Sequence, residues 1–158
     1  MHLERMKNMV RVLRTVQSRP ELSKRFDLRT WFDSYGALDR THTTAQFESA
    51  EDKVSIPHNC GTTACAVGYA GLDPWFREQG FTTDAQGGVN YESQGGYIAN
   101  SWNAVEQFFD ISEHRAEYFF SANNYPQDED EYVSHATVTD VIDRIVAYMD
   151  NHHPNWEQ

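Results

Sequence analysis

The chain has 158 residues, of which 39% are hydrophobic and 13% aromatic. That is enough for one packed core and too many aromatics for a disordered chain. No run approaches the ~20 consecutive apolar residues of a bilayer-spanning helix, and the opening MHLERMKNMVRVLRTV scatters charges where a secretory signal needs an apolar stretch. Two cysteines, Cys60 and Cys65, are too few for a disulfide framework, so a single domain over residues 1–158 in a reducing, cytoplasmic setting is expected, with no membrane partner.

Net charge is −11, unevenly spread. Residues 1–30 carry eight Lys/Arg against three acids, a local +5, whereas residues 31–158 carry five bases against 21 acids, a net of −16. Such asymmetry points to a charged partner or to a basic element neutralised on an acidic body.

In chain order, Leu3, Met6, Val10, Leu13 and Gln17 recur at steps of three and four, with Met9 and Val16 widening the stripe. This predicts a basic amphipathic helix over residues 1–17 whose other face holds Arg5, Lys7, Arg11 and Arg14. Pro20 ends it, and Ser18 is a candidate cap for a short helix with Pro20 in its first turn. Phe26, Leu28, Trp31 and Phe32 then form an apolar cluster. Residues 33–57 lack periodicity and read as an exposed loop, a length that is uncommon without a function.

From Ala64 to about Gly71 the small residues Ala64, Ala66, Gly68, Ala70 and Gly71 predict a central helix against which neighbours press closely. On an exposed helix each glycine would cost ~1 kcal/mol. Thr62 or Thr63 is the expected cap. Asp73-Pro74 opens a further short helix ended by Gly80. Glycine-rich residues 81–97 predict one small β-hairpin with strands near Phe81–Thr83 and Val89–Glu92. Helices follow near Trp102–Phe109 and after Ser112, and a last one opens with the capping box Thr137-x-x-Asp140. Residues 151–158 read as a flexible tail. The fold class is therefore mainly α with minor β, one compact helical domain around the small-residue helix.

One segment holds candidate chemistry: His58, Asn59, Cys60, Gly61, Thr62, Thr63, Ala64 and Cys65. A thiol just before a helix gains from the N-terminal dipole, so Cys60 is a candidate nucleophile with His58 nearby in sequence and His42, His114 or His135 as distant bases. His58, Cys60 and Cys65 are candidate zinc ligands, although a structural site needs a fourth, for which only a distant His152 or His153 is on offer. The third reading, the one favoured by cysteine's small size among Gly and Ala, is a buried structural pair with no cofactor. No phosphate-binding loop, serine elbow or His-Glu-x-x-His occurs. The basic helix has the charge to touch phosphates, but the −16 remainder repels nucleic acid, so direct nucleic-acid binding is not expected.

The N-terminal helix, Phe26 to Trp31 (FDLRTW), Cys60 to Ala70 (CGTTACAVGYA), Ala104 to Ser112 (AVEQFFDIS), Ala116 to Phe120 (AEYFF) and the final helix together make the chain resemble a loose group of small proteins found mostly in bacteriophage genomes. The resemblance implies action in an infected bacterial cytoplasm and supplies no catalytic residue. The expected function is that of an accessory protein that binds a host or phage protein, with a nucleic-acid-handling enzyme as one candidate class. Rows of carboxylates imitate a phosphate backbone and attract a basic groove. The candidates are Asp128, Glu129, Asp130, Glu131, Asp140, Asp143, Glu113 and Glu117, together with Glu106 and Asp110. The alternative is a small cysteine-dependent enzyme or ligand binder using the His58–Cys65 segment.

Overall fold

The architecture comes from a computed structural model that describes residues 1–29, 32–33, 63–84, 87–126 and 136–157. It is mainly helical, with a three-stranded antiparallel sheet whose strands neighbour one another in chain order and a separate two-residue antiparallel pair. The expected loop beyond Asp33 lies outside the described residues.

Helix α1 (Leu3–Gln17) buries Met6, Met9, Val10, Val12, Leu13 and Val16. Val12 widens the predicted stripe, so α1 is held on two sides, by α7 (Val138–His152) and by α3 (Ala66–Leu72). Arg5, expected on the solvated face, is half-buried, because its guanidinium lies 4.2 Å over the Phe108 ring and donates to the Phe108 carbonyl. Helix α2 (Pro20–Ser23) starts at Pro20 with Arg19, not Ser18, at its N-cap. Ser18 Oγ instead donates to the Thr15 carbonyl at 2.9 Å. Strand β1 (Phe32–Asp33) pairs with β2 (Thr63–Ala64) in the register Phe32 to Ala64.

All seven residues of α3 are buried. It packs against α1, against α4 (Pro74–Glu78) and against strands β3 (Phe81–Thr83) and β4 (Val89–Glu92). The small side chains let the backbones approach, and Thr83 Oγ1 on β3 donates to the Gly68 carbonyl at 3.2 Å. Asp73 caps α4 by accepting from Trp75 N–H at 3.1 Å, and Pro74 fills its first turn. Gly80 then turns the chain into β3 with φ +84°, where an added Cβ would meet Glu92 O at 2.3 Å.

The predicted strands β3 and β4 form as a hairpin, and a third strand, β5 (Ile98–Asn100), extends it. Sequence periodicity missed β5 because three residues beside Gly95-Gly96 carry no readable alternation. Helix α5 (Ser101–Phe109) covers the inner face of β4 and β5, and α6 (Glu113–Phe120) packs on α5 and α7. The capping box of α7 is present: Thr137 Oγ1 accepts from Asp140 N–H, and Asp140 accepts from Thr137 N–H at 2.7 Å. Phe76, Phe81, Phe108, Phe109, Phe119 and Phe120 are fully buried and form a continuous run of ring contacts from α4 to α6. The tail expected to be flexible is anchored over its described part: Trp156 is buried and its indole N–H donates to Asp150 at 2.7 Å. A buried ring with its one donor satisfied holds the turn after α7 in place.

Candidate functional site

Of the three cysteine-segment candidates, His58 and Cys60 lie outside the described residues, and Cys65 is placed. Cys65, rather than Thr62 or Thr63, is the N-cap of α3, and its Sγ accepts from Gly68 N–H at 3.4 Å. The helix starts later than the Thr-Thr pair suggests because Thr63 and Ala64 are taken into β2.

The dipole argument for an activated thiolate fails at Cys65, because desolvation is the stronger effect. The side chain is 3% exposed, and burial pushes its thiol up to about 11, against which the N–H groups of Gly68 and Val67 pull only weakly. At neutral pH the free thiol is protonated and out of contact with solvent, which argues against a nucleophile, while the zinc reading depends on His58 and Cys60, which lie outside the described residues. Among the described residues no three His, Cys, Asp or Glu side chains converge to hold a metal.

The raised Cys65 value carries a pH dependence. The folded state keeps the proton up to about 11 while the unfolded thiol loses it near 9.0. Stability is therefore complete below about pH 9 and falls as pH rises through the window between those values. Tyr69, pushed up to about 12 by burial, adds a loss in the same direction above its ordinary 10.0. Urea titrations between pH 8 and 11 should show the midpoint dropping, with a loss on the order of 2 kcal/mol, and a Cys65→Ser variant should lose most of the slope below pH 10.

The acidic candidates divide. Asp128, Glu129, Asp130 and Glu131 lie outside the described residues. Asp140 is committed to the capping box, whose hydrogen bonds from Thr137 hold its carboxyl below the usual carboxylate range. Glu113 and Asp143 are exposed and Glu117 is half-buried on α6 and α7. Two bases sit among them, yet both lie on aromatic rings. Arg144 is 3.5 Å over Tyr125 and donates to the Tyr118 carbonyl at 2.7 Å, and Arg115 is 4.9 Å over Tyr148. Sequence reasoning counted these guanidinium groups as charge and missed their stacking, because Arg144 and Tyr125, and Arg115 and Tyr148, are far apart in the chain. Among the described residues no ion pair forms to Glu113, Glu117 or Asp143.

The basic helix finds its neutralisation elsewhere. Arg11 pairs with Asp73 at 2.8 Å, Arg14 approaches Glu157 at 3.9 Å, and the N-terminal amine meets Asp110 at 3.2 Å. Exposed pairs of this kind are worth only about 0.2–1 kcal/mol each. Between α1, α2 and α3 lies a cavity of about 180 Å³ lined by Val16, Leu22, Tyr69 and Leu72 with Arg11 at its rim. It is smaller than the ~300–1,000 Å³ common for small-molecule sites.

No described helix is long and apolar enough to cross a membrane. Comparison of the chain with family models, with curated proteins and with solved structures finds no match.

Proposed function

We propose that the domain acts by macromolecular binding, using the carboxylates of α6 and α7 to attract a basic surface on a partner protein, as in an inhibitor or adaptor of a nucleic-acid-handling enzyme. The observation that carries this reading is that, among the described residues, Glu113, Glu117 and Asp143 have no ion-pair partner, with the nearby Arg115 and Arg144 held over aromatic rings. Carboxylates left facing water supply long-range attraction that speeds encounter and weakens steeply with salt. The resemblance to small phage-encoded proteins makes an infected bacterium the setting and a host protein the natural target. The cysteine-dependent alternative rests on His58 and Cys60 alone, since Cys65 is buried and protonated at neutral pH.

The test is capture from bacterial lysate by wild type and by a Glu113→Gln, Glu117→Gln, Asp143→Asn triple variant at low and high salt. Wild type should retain a partner at low salt and release it at high salt. The triple variant should bind that partner about tenfold more weakly or worse. A partner held equally by both proteins, with the same salt response, overturns the assignment of the surface.

A further inference from the structure

The backbone hydrogen-bond phase of the small sheet leaves one strand edge unpaired among the described residues. Glu92 N–H donates to Gly80 O at 2.9 Å and Asp84 N–H to Gly88 O at 2.8 Å, so the even-numbered residues of β4 bond to β3. Ser93 N–H donates to Tyr97 O at 2.9 Å, so the odd-numbered residues of β4 bond to β5 and Tyr91 exchanges its bonds with Ala99. The N–H groups of Ile98 and Asn100 and the carbonyl of Ile98 consequently point away from the sheet.

Natural edges are usually blunted by a charge, a proline, a bulge or a covering element. Strand β5 is blunted only by its length of three residues: among the described residues its run, Gly96, Tyr97, Ile98, Ala99 and Asn100, has no charge, proline, bulge or covering element, and only Ala99 is buried. Tyr97 and Ile98 are the two most exposed large apolar side chains among the described residues, at 58% and 56%. On the outer face Glu92 stands directly across from Ile98 in the register and is itself exposed. Strands lie about 4.8 Å apart, so a fourth strand beside β5 would run about 10 Å from the Glu92 backbone, a gap that a lysine and the glutamate side chain span together.

We propose that the β5 edge accepts an extended, basic peptide segment of a partner as a fourth antiparallel or parallel strand, with backbone bonds to Ile98 and Asn100, an apolar residue on Ile98 and a Lys or Arg toward Glu92. The commitment to a basic segment follows from charge: Glu92 flanks the edge and the chain as a whole carries −11, which disfavours a second copy and attracts lysine. Strand addition of this kind draws affinity from main-chain bonds and specificity from alternate side chains. The inference stands apart from the acidic face of α6 and α7 and does not need it.

The probe is an end-blocked heptapeptide of alternating lysine and valine, followed by backbone amide NMR and hydrogen exchange on the full chain. Shifts should centre on Gly96 to Asn100, and exchange should slow at the Ile98 and Asn100 amides. Ile98→Pro removes the outward N–H and leaves the Tyr91–Ala99 bonds in place, as edge prolines do. It should weaken the peptide about tenfold with an unchanged unfolding midpoint. Glu92→Lys, a surface change, should also weaken the peptide, and a glutamate-valine heptapeptide should bind less well than the lysine one. Shifts centred on another surface, undiminished binding to Ile98→Pro or to Glu92→Lys, or equal binding of the two peptides overturns the proposal. So does peptide-free self-association that Ile98→Pro abolishes, which would assign the edge to a second copy of the chain.

Discussion

Replacing Gly71 by alanine should destabilise the domain by about 3 kcal/mol. A Cβ at that position would sit 2.0 Å from Thr83 Oγ1, 2.7 Å from Thr83 N and 2.9 Å from the Thr82 carbonyl carbon. The hydroxyl can rotate aside, but the β3 backbone cannot, because it is paired with β4 on its other edge. Helix and strand must then separate, and the Thr83 to Gly68 bond lengthens with them. For a domain of this size such a loss lowers the melting temperature by roughly 6–12 °C. Gly95→Ala is the control, with nothing nearer than Ser93 Oγ at 3.9 Å, and should cost under about 0.5 kcal/mol. Urea denaturation of the three proteins measures both values.

Phe108→Ala should cost about 3–5 kcal/mol. The ring is fully buried and touches Phe76, Phe81, Tyr91 and Phe109, with centroids 5.4, 4.6, 5.3 and 5.1 Å away. It also carries the Arg5 guanidinium at 4.2 Å. Arg5 Nε is buried without a hydrogen-bond partner, so the stacking on Phe108 and the bond to its carbonyl are what compensate its burial. Removing the ring opens a cavity and strands that charge, two penalties that add in one direction. Phe108→Leu, which keeps most of the volume, should cost appreciably less; equal costs for the two would show that the cavity is not the source.

The elements legible in the sequence were those with a strong local signal. The apolar stripe of α1, the Asp73-Pro74 start of α4, the Gly80 turn and the Thr137–Asp140 capping box each depend on residues within a few positions of one another. The buried small-residue helix was also readable, because two glycines in a helix make little sense unless something packs closely against them. What escaped depends on contacts far along the chain. Arg5 reads as a solvated cation until Phe108, more than a hundred residues later, is placed beneath it. Trp156 reads as a tail residue until Asp150 and the turn after α7 bury it. Strand β5 exists because β4 offers it an edge, which three residues cannot announce.

The acidic surface was legible as composition and not as geometry. Counting carboxylates found Glu113, Glu117 and Asp143 but gave Asp140 the same weight, although its Oδ2 accepts from both the N–H and the hydroxyl of Thr137. The capping box read from Thr137-x-x-Asp140 already set Asp140 apart, since a carboxylate bonded at the start of α7 is not free to meet a partner. The stacking of Arg115 and Arg144 on Tyr148 and Tyr125 fixes where two positive charges sit on this face, and neither pairing is local in sequence.

The account depends on α3 lying inside the protein, with the thiol at its start sealed from water and the working surfaces elsewhere. Thiol titration of a Cys60→Ser variant, in which Cys65 is the remaining cysteine, addresses this directly. Under native conditions at neutral pH the disulfide reagent should find no reactive thiol, and one equivalent should appear only when urea unfolds the chain. Prompt reaction of Cys65 in the folded protein would contradict the account.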